Sequence, residues 1–221
     1  MSTRSAADTL ETRPRRRLIW VPIVHTQDDM GKLRGPVKDQ YVRRAGRAKW
    51  DAHLRTVDAF WKEIRRTIED LGLDYPHVRL YQDGLPVCDQ AEKIVRELAD
   101  QGGVNHRLLI DLIDRGARLT GTESPQLLIQ EYELNRRILG VDEPARPSPM
   151  RSRLFQEEAR QLLAKRDQFI ADRIAETLQT DEQGLIFLGM LHSLDRRLPS
   201  DIHVTTLRPG DRASSRPSRP V

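Results

Sequence analysis

A single cysteine, Cys88, stands among 221 residues, so an internal disulfide is impossible and a reducing, cytoplasmic compartment is expected. No apolar stretch approaches the ~18 to 20 residues that a bilayer-crossing helix needs, which argues against an integral membrane role. There is no Walker-type Gly-Lys-Ser/Thr run, and Gly102-Gly103 lacks the flanking pattern of a dinucleotide loop, so these motifs give nucleotide binding no support. No internal repeat is present. What remains is a chain that is 38% apolar and 32% charged, with a mean hydropathy of −0.62 and recurring apolar runs such as 18–24 and 185–188. Those values describe a soluble folded protein whose length suits one domain with tails.

The net charge of +4 suggests nucleic acid until its location is considered. Residues 1–17 carry five arginines against Asp8 and Glu11, and residues 208–221 carry four against Asp211, so each end nets +3 and the body between them −2. A slightly acidic body predicts no specific nucleic-acid face. The ends, rich in Arg, Ser and Pro, read as disordered tails over 1–16 and 209–221, flanking an α/β domain over 17–208. Arg15-Arg16-Arg17 before an apolar run has the look of a twin-arginine signal. The run is short, breaks at His25 and lacks a small-residue cleavage site, so a first strand is expected instead.

Short apolar runs alternate with helical sequence, the signature of an α/β fold: a single domain with a central, mainly parallel sheet of about four to five strands flanked by long helices. The expected strands are 18–25, 78–81, 117–120 and 184–192, with the more alternating 202–207 at an edge. Helix spacing covers 37–71, with Val57, Phe60, Trp61, Ile64, Ile68 and Leu71 on one face. Shorter helices are expected at 91–98 and 106–113. Ser124-Pro125 has the form of an N-cap and first helical residue for a helix running to about 139, and a Pro-rich connector over 144–149 leads to a long helix over 150–178.

Ligands of open parallel sheets sit beyond the carboxyl ends of the strands, where loops and helix N-termini converge. The expected strand ends deliver His25, with Asp28 and Asp29 close behind, then Asp83, Glu123 and His192. Two imidazoles and two carboxylates on one rim suit a divalent cation or two acid/base pairs. Each also has a plain structural reading: a histidine marks the exit from a core, Asp83-Gly84 is an ordinary turn, and Glu123 favours a helix N-terminus. Two charges interrupt helix faces. Arg166 lies one turn from both Leu162 and Ile170, and Glu131 shares a face with Leu127, Leu134 and Ile138. An inward charge needs a partner, so Arg166 should meet a carboxylate, Glu131 or Glu123, or an anionic ligand, in a structural or a catalytic role. For Cys88 no base or pKa-lowering group is legible, and a buried structural thiol is expected.

Gly189-Met190-Leu191-His192 is a G-x-x-H at the last core strand, preceded by a helix carrying Arg166-Asp167, and Pro22-Ile23-Val24-His25 is a degenerate version at the first. This layout resembles the superfamily that includes TraB-type proteins, Tiki metalloproteases, erythromycin esterases and ChaN-like haem-binding proteins. The resemblance implies that His25 and His192 are paired histidines, Arg166 the late-helix arginine, and Asp83 and Glu123 the acidic members. Pro22 and Asp83 stand where that group has glycine and glutamate.

The function expected from these residues is a metal-dependent hydrolase acting on a small-molecule or peptide substrate, a peptide, ester or lactone. His25, Asp83 and His192 would hold a divalent ion (Mn, Co or Zn), with Glu123, Glu131 and Arg166 catalytic. The alternative is a non-enzymatic protein that binds an anionic small molecule or haem at the same rim. A third reading is an interaction protein working through its Arg-rich tails.

Overall fold

The computed structural model describes residues 16–23, 34–141, 148–208 and 210; His25, Asp28, Asp29, most of the Pro-rich connector and both Arg-rich tails apart from Arg16, which opens the first strand, and Gly210 lie outside the described residues. The elements in chain order are β1 (Arg16–Ile23), α1 (Arg34–Ala45), α2 (Arg47–Asp70), β2 (Val78–Gln82), α3 (Ala91–Asp100), α4 (Val104–Asp114), β3 (Arg118–Thr120), α5 (Pro125–Leu139), α6 (Pro149–Thr177), β4 (Gln183–Gly189) and β5 (Ile202–Thr206). All strand pairs are parallel, in the order β3-β2-β4-β1-β5, so the fold is α/β as expected, with the alternating run at 202–206 on an edge. Among the described residues, no helix is long and apolar enough to cross a membrane.

Both faces of the sheet are covered, which is why its central strands read as nearly continuous apolar runs. On one face Ile19, Val21, Ile23, Leu80, Leu185 and Phe187 pack against α2, α3 and α4. On the other, Leu18, Tyr81, Ile186 and Leu188 pack against Ile170, Ala171 and Ile174 of α6 and against Leu194 beyond β4. The chain leaves β1 and β2 towards the first layer and β3 and β4 towards the second. β2 and β4, neighbours in the middle of the sheet, are therefore followed by chain on opposite sides, the kind of topological switch point at which ligands of open parallel sheets bind.

Three local differences from the sequence reading have physical causes. The helix expected over 37–71 is two helices, because Gly46 adopts φ 88°, a left-handed conformation that ends α1 and starts α2 at a new angle. Of the face expected on α5, only Leu134 is buried; Ile138 is exposed, because α5 covers the edge of α6 rather than the sheet. Cys88 is exposed rather than buried, one residue past Val87, whose N–H donates to the Glu123 carbonyl at 2.8 Å.

That tie belongs to a lacing of two loops. Thr122 and Glu123 N–H both donate to the Leu85 carbonyl, at 3.0 and 2.9 Å, and Thr122 Oγ1 accepts from Gln82 N–H at 3.0 Å. The approach is so close that a Cβ on Gly121 would stand 2.7 Å from the Pro86 carbonyl oxygen and from Val87 Cα, both backbone atoms that cannot turn aside. Gly121→Ala is therefore expected to force the loops apart, costing about 2 kcal/mol in urea denaturation.

Candidate functional site

Asp83 is the first residue beyond β2, Glu123 follows β3, and His192 lies three residues beyond Gly189, the last residue of β4. The laced loops hold the two carboxylates side by side, and Gly84 N–H donates to Glu123 Oε1 at 2.7 Å. Into this edge α6 turns two consecutive charged residues. Arg166 continues the buried face of Leu162 and Ile170, and Asp167 lies beside it on the same inner side, both under 5% exposed.

Arg166 grips Glu123 with two bonds, from Nε to Oε2 and from Nη2 to Oε1, each 2.6 Å. Its Nη2 also donates to Asp83 Oδ1 at 2.7 Å, and its Nη1 to Glu131. Four of the five guanidinium N–H groups are thus engaged by carboxylates. Asp83 presents its other oxygen, Oδ2, to Gly189 N–H at 3.0 Å and to His192 Nε2 at 3.4 Å. The far side of the imidazole, Nδ1, meets Asp167 Oδ1 at 2.6 Å, and Asp167 Oδ2 accepts from Ser193 N–H at 3.0 Å. One connected chain results: Asp167, His192, Asp83, Arg166, Glu123, with the half-buried Glu131 at its margin.

The charges respond to that packing. Burial works against the Arg166 cation, but the bonds and charges of Glu123, Asp83 and Glu131 overcome it and raise its pKa. Burial pushes the Glu123 carboxyl above the usual range, against the pull of Arg166, and the neighbouring Asp83 charge adds to the push. For His192, burial pulls down, yet the bonds to Asp167 and Asp83 outweigh it and lift the imidazole to about 9. Asp83, Glu123, Glu131 and Asp167 then oppose Arg166, the His192 imidazolium and Arg197, whose Nη1 is 3.9 Å from Asp167. Among these residues acidic groups are in excess, by one when His192 is charged and by two when it is neutral. Such a site favours a cation over an anion.

Five residues singled out from sequence, Asp83, Glu123, Glu131, Arg166 and His192, meet here; His25 lies outside the described residues. Asp167 was missed. An acid next to an arginine on a helix is commonplace, and the available signal was its position three residues before Ile170 and four before Ala171 on the inward face. Among the described residues, no group of three or more His, Cys, Asp or Glu side chains is arranged to hold a metal ion. The His192 and Asp83 pair does fit as part of one: two donors each about 2.1 Å from a tetrahedral ion stand roughly 3.4 Å apart, the separation seen between Nε2 and Oδ2. Compared with known proteins, the chain matches no family model, no curated protein and no solved structure.

Removing the central cation should be severe. Arg166→Leu leaves two buried carboxylates and a half-buried third without their counter-charge, and a loss of about 3 to 5 kcal/mol is expected in chemical denaturation. The imidazole gives a signed pH dependence. Its folded pKa, about 9, exceeds the ordinary 6.5, so the folded state holds the proton more tightly than the unfolded chain. That stabilisation, on the order of 3 kcal/mol, is complete below pH 6.5 and disappears as pH rises through 9. Denaturation of the metal-free protein across this range should show the slope, and His192→Gln should flatten it.

Proposed function

We propose that the protein is a hydrolase whose catalytic centre is the chain of charged residues at the C-terminal edge of the sheet, with a divalent metal ion as its cofactor. The observation that carries this reading is the suspension of one imidazole between two carboxylates: Asp167 at Nδ1, 2.6 Å away, and Asp83 facing Nε2 at 3.4 Å. A metal-ligating histidine commonly has its second nitrogen fixed by a carboxylate in this way. Asp167 fixes the ring and its tautomer, so that in the neutral imidazole the Nε2 lone pair is directed at Asp83.

His192 and Asp83 would hold the ion, and His25 is the expected third ligand, since it follows by two residues Ile23, which lies level with Gly189 at the same edge. Bound there, a divalent ion such as Mn, Co or Zn would lower the pKa of a coordinated water. The residues around it have distinct work. Glu123, raised above the usual carboxylate range, is suited to take a proton from a nucleophilic water and return it to a leaving group. Arg166, with four of its N–H groups committed, acts by holding Asp83 and Glu123 in fixed orientation. Glu131, half exposed at the margin, balances the outer face of the guanidinium.

The G-x-x-H of Gly189 to His192, at the end of β4, supports the likeness to the TraB, Tiki, erythromycin esterase and ChaN-like group as part of the same proposal. The anion- or haem-binding alternative is less well supported. Arg166, the cation expected to receive such a ligand, is already held by three carboxylates.

Elemental analysis of purified protein is expected to find one divalent ion per chain, lost in His192→Ala and in Asp83→Asn. Assay of peptide, ester and lactone substrates with added Mn, Co or Zn should show turnover that Asp167→Asn reduces by roughly 10- to 100-fold while folding is kept. A metal-free protein with no turnover on any of the three classes would end this reading.

A further inference from the structure

The turn that carries the chain from β4 to His192 holds two residues that the proposed catalytic centre does not use. His192 N–H donates to the Gly189 carbonyl at 3.2 Å, closing a β-turn with Met190 and Leu191 at its two central positions. Such positions ordinarily go to Gly, Pro, Asn, Asp or Ser. Here they hold two large apolar side chains, 71% and 85% exposed. Leu188 and Leu194, on either side, are wholly buried, so the segment reaches the apolar core and still holds this pair out.

The same carboxylates that orient the imidazole clamp both ends of this turn. Gly189 N–H donates to Asp83 Oδ2 at 3.0 Å, His192 Nδ1 meets Asp167 Oδ1 at 2.6 Å, and Ser193 N–H donates to Asp167 Oδ2 at 3.0 Å. Met190 and Leu191 are thereby ordered before anything binds, which spares a ligand the cost of ordering them. Leu191 is one peptide bond from His192 and Met190 is two, which keeps their Cα atoms within about 4 and about 7 Å of the His192 Cα. A group reacting beside the imidazole therefore lies within reach of both.

Exposed apolar surface beside a buried charged centre divides two tasks: the charges act on a polar bond, and the apolar pair takes up a hydrocarbon group attached to it. Two adjacent, outward-held side chains form a strip rather than a pocket. A linear chain can lie along a strip, to which the unbranched thioether of Met190 adapts; a branched or bulky group needs walls that a turn does not supply. From this placement we infer that Met190 and Leu191 determine the specificity of the proposed hydrolase by binding a linear aliphatic chain next to the hydrolysed carbonyl, which makes the substrate an acyl ester or alkyl lactone rather than a peptide. Water adds its oxygen to that carbonyl carbon, the ester C–O bond breaks, and the acyl chain leaves as a carboxylic acid while the alkoxide takes the proton. The inference rests on the hydrolase reading for its purpose, but the binding it calls for is measured without turnover.

The chain has four methionines, so carbon-13 labelling of their methyl groups gives few NMR signals, and Met190→Leu identifies the relevant one. Met150 is a matched control, 73% exposed but about 24 Å along α6 from Arg166. Hexanamide, titrated into the full chain up to roughly 50 mM, the range for an eight-atom fragment, should move the Met190 signal saturably and leave that of Met150 in place. A methylene covered on one side is worth about twofold, against about fourfold when fully buried, so acetamide, shorter by four methylenes, should bind about 15-fold more weakly. Leu191→Ser should weaken hexanamide binding about threefold or more. In turnover, kcat/KM for p-nitrophenyl acetate, butanoate and hexanoate should climb about twofold per methylene, and Met190→Ser combined with Leu191→Ser should flatten the climb. No Met190 shift, an equal shift at Met150, equal affinity for acetamide, or a larger gain from glycyl to leucyl p-nitroanilide than from acetate to hexanoate each overturns the inference. So does a Met190 shift that follows protein concentration or added phosphatidylcholine vesicles in place of hexanamide, which assigns the turn to a second copy or to a lipid surface. Hexanamide binding with no hydrolysis of any ester or peptide keeps the apolar site and ends the hydrolase reading; hydrolysis indifferent to chain length does the reverse.

Discussion

The Arg166 guanidinium is the group on which the rest of the C-terminal edge depends. Asp83 and Glu123 come from different strands and lie buried side by side, an arrangement that would repel itself open without a positive charge between them. The bidentate grip on Glu123 orients as well as neutralises, since a planar fork meets a carboxylate in one geometry only. Because Asp83 uses its second oxygen to face His192, the guanidinium also sets the position of the imidazole, one residue removed. A helix on one face of the sheet thereby fixes groups delivered by β2, β3 and β4 together.

Much of the architecture was legible because each central strand is covered on both faces and so appears as an unbroken apolar run. The carboxyl ends of those strands could then be named, and Asp83 and His192 followed; Glu123 follows the three-residue edge strand β3 and was marked by its place between Gly121-Thr122 and the helix start at Ser124-Pro125. Arg166 stood out for another reason: a charge one turn from Leu162 and Ile170 contradicts its helix face and demands a partner. Glu131 met the same test more weakly, and it proves only half-buried because its own helix packs on α6 and not on the sheet.

Other features were hidden for equally physical reasons. A glycine within helical sequence is tolerated often enough that Gly46 gave no warning of the left-handed turn dividing α1 from α2. Asp167 was masked by its neighbour, since an acid beside an arginine is ordinary on a solvated helix.

Arg166 and Asp167 serve opposite ends of the same charged chain from adjacent positions in α6. Consecutive helical residues differ by about 100° in direction, so inserting or deleting one residue between this pair and the anchors Ile170 and Ile174 would swing both away from their partners at once. The outer half of the helix, where Met150 and Leu154 face solvent, is under no such rotational constraint. Across natural variants of this chain, length changes should accumulate towards the start of α6, and the phase of its final three turns should stay locked.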